Sequence, residues 1–198
     1  MSRRIALTVD TEHPDHPAAP GNLERQLDEL ERRGVRATFF VQGRWAAANP
    51  GPARRIAQAG HVIGNHSKSH APMDMLTDDG IAASLSEAEE MIERSCGASP
   101  RPWFRCPYGD GADDPRVLAA IERAGYRHVG WDIDTTDWEP ARTPADMIVT
   151  VLDGMRRHGD GAIVLMHSWP DVTASVLGDL VDHLREEGAD LVGVDELG

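Results

Sequence analysis

Lysine is nearly missing from this chain of 198 residues: Lys68 stands alone among 20 basic side chains, so chemistry through a lysine Schiff base has a single candidate. That candidate reads better as a spacer between two histidines. There are only two cysteines, Cys96 and Cys106, which does not suggest a disulfide-stapled secreted scaffold. Aromatic residues make up 5%. Positive charge is outweighed, with 33 acidic residues giving a formal net charge of −13, which excludes a broad basic face for nucleic acid or an anionic membrane. Long apolar runs are absent too. The stretch after Arg3-Arg4 extends only from Ile5 to Val9 before Asp10, too short for an export signal or a membrane span. These absences lead to the expectation of one soluble cytoplasmic domain over residues 1–198, acting on a small or oligosaccharide substrate without nucleic acid or membrane partners.

Short apolar runs alternate with helix-period segments, the pattern of βα units around a parallel sheet. Strands are expected at Ile5–Val9, Ala37–Val41, Val62–Gly64, Trp103–Arg105, His128–Asp132, Ala162–Met166 and Asp190–Val192. Leu23–Arg33 places Leu23, Leu27 and Leu30 on one helical face before Gly34. Thr77 can cap a helix to about Arg94 whose buried stripe is Ile81, Leu85, Ala88 and Ile92. Further helices are expected over Pro115–Ala124, Pro144–His158 and Val172–Glu187.

Candidate chemistry falls at the ends of these strands. His66-Ser67-Lys68-Ser69-His70 holds two imidazoles four positions apart, and Asp10-Thr11-Glu12 holds two carboxylates after the first strand. Neutral imidazole nitrogens and one carboxylate oxygen suit a hydrolytic divalent metal, leaving a second carboxylate to take a proton from the attacking water. Alone, two histidines at this spacing are a weak signal and more often belong to a polar loop. Downstream stand Arg105-Cys106-Pro107-Tyr108-Gly109, Asp134-Thr135-Thr136-Asp137-Trp138 and Leu165-Met166-His167. In a β/α barrel such strand-end loops gather at one mouth.

In this order, the blocks resemble the five motifs of the polysaccharide deacetylases, the NodB-like carbohydrate esterase family 4, which read roughly TFDDG, H(S/T)xxH, RxPYG, DxxDW and LxH. The resemblance implies an α/β fold, a distorted parallel β/α barrel of about seven strands. It also implies removal of N-acetyl groups from amino sugars with a divalent metal, zinc by its ligands. His66 and His70 would be metal ligands and Asp10 the general base, held ionised by Arg105. The backbone N–H of Tyr108 would face the developing oxyanion. His167 would be the general acid, its charge favoured by Asp137, with Arg36 pairing that aspartate. Trp138 and Leu165 would wall the acyl pocket, and Trp103, Trp131 or Trp169 could stack on a sugar. Cys106 reads as a small filler.

The first block departs from the family pattern, since Thr11 occupies the usual ligand position. Glu12 can take over that role, as can His13 or His16. This departure, with the short apolar leader, keeps open a hydrolase acting on another non-peptide C–N bond: a ureide, cyclic imide or formamide. A non-catalytic module that binds metal or sugar is a third reading.

Overall fold

The computed structural model describes residues 3–11 and 19–197, which fall into two compact units. The first unit comprises residues up to Thr38, Ala59–Val62 and those from Trp131 onward; the second comprises Phe39–Gln58 and Ile63–Gly130. Both have the α/β character expected from the alternation of apolar runs.

In the first unit, β1 (Arg3–Thr11) lies between β7 (Ala162–His167) and β8 (Ala189–Val192), and β6 (Ile133–Asp134) pairs with β7, all in parallel. Residues Ile5 to Val9 of β1 are almost entirely enclosed, and a strand covered on both faces reads as a continuous apolar run. Helices α1 (Asn22–Arg32), α6 (Pro144–His158) and α7 (Asp171–Glu186) belong to this unit. Leu23, Leu27 and Leu30 form the buried face of α1 as their spacing predicts. Thr143 caps α6 through a reciprocal box with Asp146.

The second unit carries β2 (Thr38–Val41), β3 (Val62–Asn65), β4 (Trp103–Phe104) and β5 (Arg127–His128) in that lateral order, the first two starting at the unit boundary. Its helices are α2 (Gly43–Ala48), α3 (Pro50–Gln58), α4 (Asp78–Cys96) and α5 (Pro115–Arg123). Thr77 Oγ1 accepts the Gly80 N–H at 3.1 Å, the cap expected for α4, and the predicted stripe of Ile81, Leu85, Ala88 and Ile92 is buried. Ile81 and Leu85 pack with Met73, Phe104, Cys106, Val117 and Tyr126 in one cluster. Gly64 is required by close approach: a Cβ there would sit 2.5 Å from the Phe40 ring.

The described residues form eight strands: of the run expected over His128–Asp132 only His128 lies in a strand, at the end of β5, and β6 begins beyond the run at Ile133. Arg105 supplies the reason. Its Nε donates to the Val129 carbonyl at 3.1 Å and its Nη2 to the Gly130 carbonyl at 2.8 Å, so these two acceptors are taken by a guanidinium rather than a strand. Helices α2 and α3 were not expected; α2 is only six residues long and α3 contains a Pro-Gly-Pro start that reads as a loop.

Candidate functional site

Within the second unit, the two histidines meet. β3 delivers His66, whose backbone N–H still donates to Val41 at 2.9 Å, and the chain then turns sharply. Ser67 and His70 both have left-handed backbones, with φ of 65° and 62°. Such conformations cost about 1–3 kcal/mol each for residues other than glycine and persist where surroundings enforce them. Here Asn65 enforces the turn: its Oδ1 accepts the Ser67 N–H at 2.9 Å, while its Nδ2 donates to Leu85 O at 3.0 Å and the Tyr126 hydroxyl at 3.1 Å. Ser67 Oγ in turn accepts the His70 N–H at 3.0 Å.

The result places Nε2 of His66 3.1 Å from Nε2 of His70, with both rings buried. His66 Nδ1 lies 3.0 Å from the carbonyl oxygen of Arg105. A carbonyl can only accept, so Nδ1 carries the proton and Nε2 presents its lone pair. That is how metal-binding histidines are commonly oriented. Two nitrogens bound to one zinc at about 2.0–2.1 Å each must lie roughly 3 Å apart, so this donor pair fits a shared ion. Among the described residues no group of three His, Cys, Asp or Glu forms a complete ligand set. Glu12, His13 and His16, the candidates for the third ligand, lie outside the described residues.

Arg105 is fully buried, with its guanidinium 4.1 Å from the Phe40 ring centroid. Two residues on, Pro107 opens a short turn in which Tyr108 adopts φ 58°. The Tyr108 side chain is exposed, and its ring stands edge-on to His70 with centroids 4.3 Å apart. Cys106 is enclosed, and burial, helped by Asp110 and Asp74, pushes its thiol up to about 12, far from a reactive thiolate. Lys68 pairs with Glu87 of α4.

The first unit holds the other candidates. Asp10, at the end of β1, is the register partner of His167 at the end of β7, and Thr8 is the partner of Leu165. Register partners on adjacent parallel strands project to the same face, as do residues two apart. Asp10, His167 and Leu165 therefore share a face, and all three are buried. Asp137 is 2% exposed and accepts from the His167 backbone N–H at 2.7 Å, from Thr173 Oγ1 at 2.5 Å, and lies 2.6 Å from His167 Nδ1. The turn that delivers Asp137 passes through Thr136 at φ 48°, whose N–H is held by Asp134 at 2.8 Å. Trp138 is half exposed.

Arg36 is a correction. Its guanidinium pairs with Asp195 at 2.8 and 2.9 Å and with Glu196 at 3.0 Å, and donates to Gly60 O, not to Asp137. The expectation failed because Arg36 precedes β2, whereas Asp137 follows β6 and takes its hydrogen bonds from β7 and α7. Sequence reading also missed Asn65 and Thr173. Asn65 was signalled only by its place just before His66, whereas nothing marked Thr173 in the first turn of α7.

The polysaccharide deacetylase family model matches residues 1–129, and the chain belongs to that family. It is 34% identical over 196 residues to the peptidoglycan-N-acetylglucosamine deacetylase PgdA of Listeria monocytogenes, covering 99% of this chain and 39% of that one. With the uncharacterised protein YlxY of Bacillus subtilis it shares 36% identity over 194 residues, 93% of this chain and 58% of the relative. The chain thus spans well under two thirds of the length of either relative. A solved CE4 family pseudoenzyme from Bacillus anthracis superposes with a TM-score of 0.85 at 32% identity, covering 99% of this chain and 65% of that one. The fold is therefore the parallel β/α fold of this esterase family, as the motif order implies.

Proposed function

We propose that this protein is a metal-dependent amide hydrolase that removes the N-acetyl group from an amino sugar. The observation that carries this reading is the Asp10–His167–Asp137 arrangement. A carboxylate and an imidazole occupy register-paired positions on one sheet face, and the imidazole is backed by a second, buried carboxylate. A base and an acid side by side are what amide hydrolysis needs: one takes a proton from water, the other gives one to the departing amine. Asp137 holds the Nδ1–H of His167, so Nε2 is the ring atom left to hand a proton to the departing amine.

His66, His70 and Glu12 would hold the divalent metal, zinc by their chemistry, which when bound supplies a Lewis acid for the acyl oxygen and acidifies water. Asp10 takes the proton of the attacking water, the Tyr108 N–H stabilises the oxyanion, and Leu165 with Trp138 lines the acyl methyl. The substrate class follows the Listeria relative, a peptidoglycan-N-acetylglucosamine deacetylase. The test is acetate release from N-acetylated chito-oligosaccharides and peptidoglycan fragments, run beside N-formyl amines and cyclic ureides. Acetate release lost in chelator and in Asp10→Asn supports the reading. Turnover confined to formamides or ureides would move the chain to another C–N bond, and turnover that persists in chelator would remove the metal from the mechanism.

A second reading is a non-catalytic member, favoured by the similarity to a solved pseudoenzyme of the family. Binding of chito-oligosaccharide with no turnover across the whole screen would establish it; any turnover that depends on His167 would exclude it.

A further inference from the structure

The carbonyls at the end of β7 and just beyond it are held by α1. Asn22 and Gln26 lie one turn apart on α1, both on its buried side. Asn22 Nδ2 donates to Trp169 O at 2.7 Å; Gln26 Nε2 donates to Ser168 O at 3.1 Å and to His167 O at 3.3 Å. Three successive carbonyls thus accept from two side-chain amides of one helix. Because carbonyls only accept, the amide orientations are fixed.

Gln26 is a costly choice for a merely structural position. It has no exposed surface, and among the described residues its Oε1 has no hydrogen-bond partner. A buried carboxamide with an unmet acceptor is destabilising where leucine or methionine would simply pack. What it provides is a second hold on His167, at the carbonyl, beside that of Asp137 at the N–H and the ring. Asp137 takes the N–H of the His167 peptide and its ring Nδ1, while Gln26 takes the carbonyl.

We infer that Gln26, supported by Asn22, is a positioning residue for His167, fixing the strand end so that the imidazole stays against Asp137 in the orientation required for proton donation. The inference rests on the proposed role of His167 as general acid. The test pairs an activity readout with one that needs no turnover. Gln26→Met keeps length and packing but removes both donors. In the zinc-loaded protein, kcat on N-acetylated chito-oligosaccharide should fall about tenfold or more while KM stays within about twofold, the pattern of a misplaced acid rather than of weakened binding. In parallel, proton NMR should show a low-field imidazole N–H in the wild type, assigned by its loss in His167→Gln. In Gln26→Met this signal should shift or broaden away.

A folded Gln26→Met with wild-type kcat and an unmoved signal overturns the inference, as does a variant that merely melts earlier with kcat, KM and signal intact. A moved signal in a protein whose wild type hydrolyses no substrate upholds the positioning and refutes the deacetylase reading instead. Should Gln26→Met fail to fold, Gln26→Asn, which keeps the amide but shortens its reach, is read by the same two measurements.

Discussion

Asp137 grips His167 at two points of the same residue: one carboxylate oxygen accepts its backbone N–H at 2.7 Å, and the other lies 2.6 Å from its ring Nδ1. A carboxylate that binds ring and backbone together fixes both the tautomer and the side-chain direction. Thr173 closes the set by donating to the same carboxylate, so this buried anion is met by three donors.

This arrangement predicts separable effects at Asp137 and Thr173. Thr173→Val, which removes one donor to a buried carboxylate, should lower unfolding free energy by about 1–3 kcal/mol in urea titrations. Asp137→Asn should keep the shape but replace an acceptor oxygen with a second donor facing donors, reducing kcat by about a hundredfold or more at nearly constant KM.

The paired imidazoles predict the metal stoichiometry. Purified wild-type protein dialysed against zinc should retain about one ion per chain by elemental analysis. His66→Ala and His70→Ala should each lose it, and Glu12→Ala should weaken it. Asp10→Asn should retain the ion yet lose turnover. Retention of zinc in both histidine variants would place the ion elsewhere.

Stability should fall in mild acid for a reason that can be traced to two shielded rings, His61, which is buried, and His128, which is partly buried. Burial, aided by the Arg36 charge, lowers His61 to about 4, and burial aided by Arg105 lowers His128 to about 4. Both values lie below the ordinary 6.5, so the unfolded chain takes up these protons first. Their contribution to stability is fully present above about pH 6.5 and is lost as pH falls toward about 4. Urea midpoints should therefore decline across that window, and His128→Phe should flatten the slope. An unchanged slope in His128→Phe would show that His128 does not titrate there.

Cys106 lies inside a motif block yet should take no part in the chemistry. With its thiol pushed up to about 12 and its side chain enclosed, it should resist alkylation at neutral pH until the protein is denatured. Cys106→Ala should keep kcat within a few-fold, whereas a nucleophilic role would abolish turnover.

Much of this was legible along the chain because it is written in local chemistry. Apolar periodicity marked β1, β7 and the long helices, and Thr77 marked the start of α4 by its hydroxyl. The five blocks marked His66, His70, Asp10, Asp137 and His167 by residue type and order. Position within the blocks also gave the readings of Cys106 as filler and Lys68 as a spacer.

Other features depend on partners far apart in sequence, and only tertiary structure decides them. Arg36 looked like the partner of Asp137, but a guanidinium pairs with the carboxylates its strand end reaches, and those are Asp195 and Glu196. The strand expected over His128–Asp132 stops at His128, because Arg105, more than twenty residues earlier, takes the carbonyls of Val129 and Gly130. Among the described residues, the left-handed backbones outside glycine are Ser67, His70, Tyr108 and Thr136, all within the motif blocks. Residue types and their order along the chain mark the candidates for the chemistry. The fold decided their orientation: the turn after His66 bends the backbone against its own preference, and the Asn65 side chain that holds it is itself fixed by Leu85 O and the Tyr126 hydroxyl, partners that arrive only once separate segments have packed.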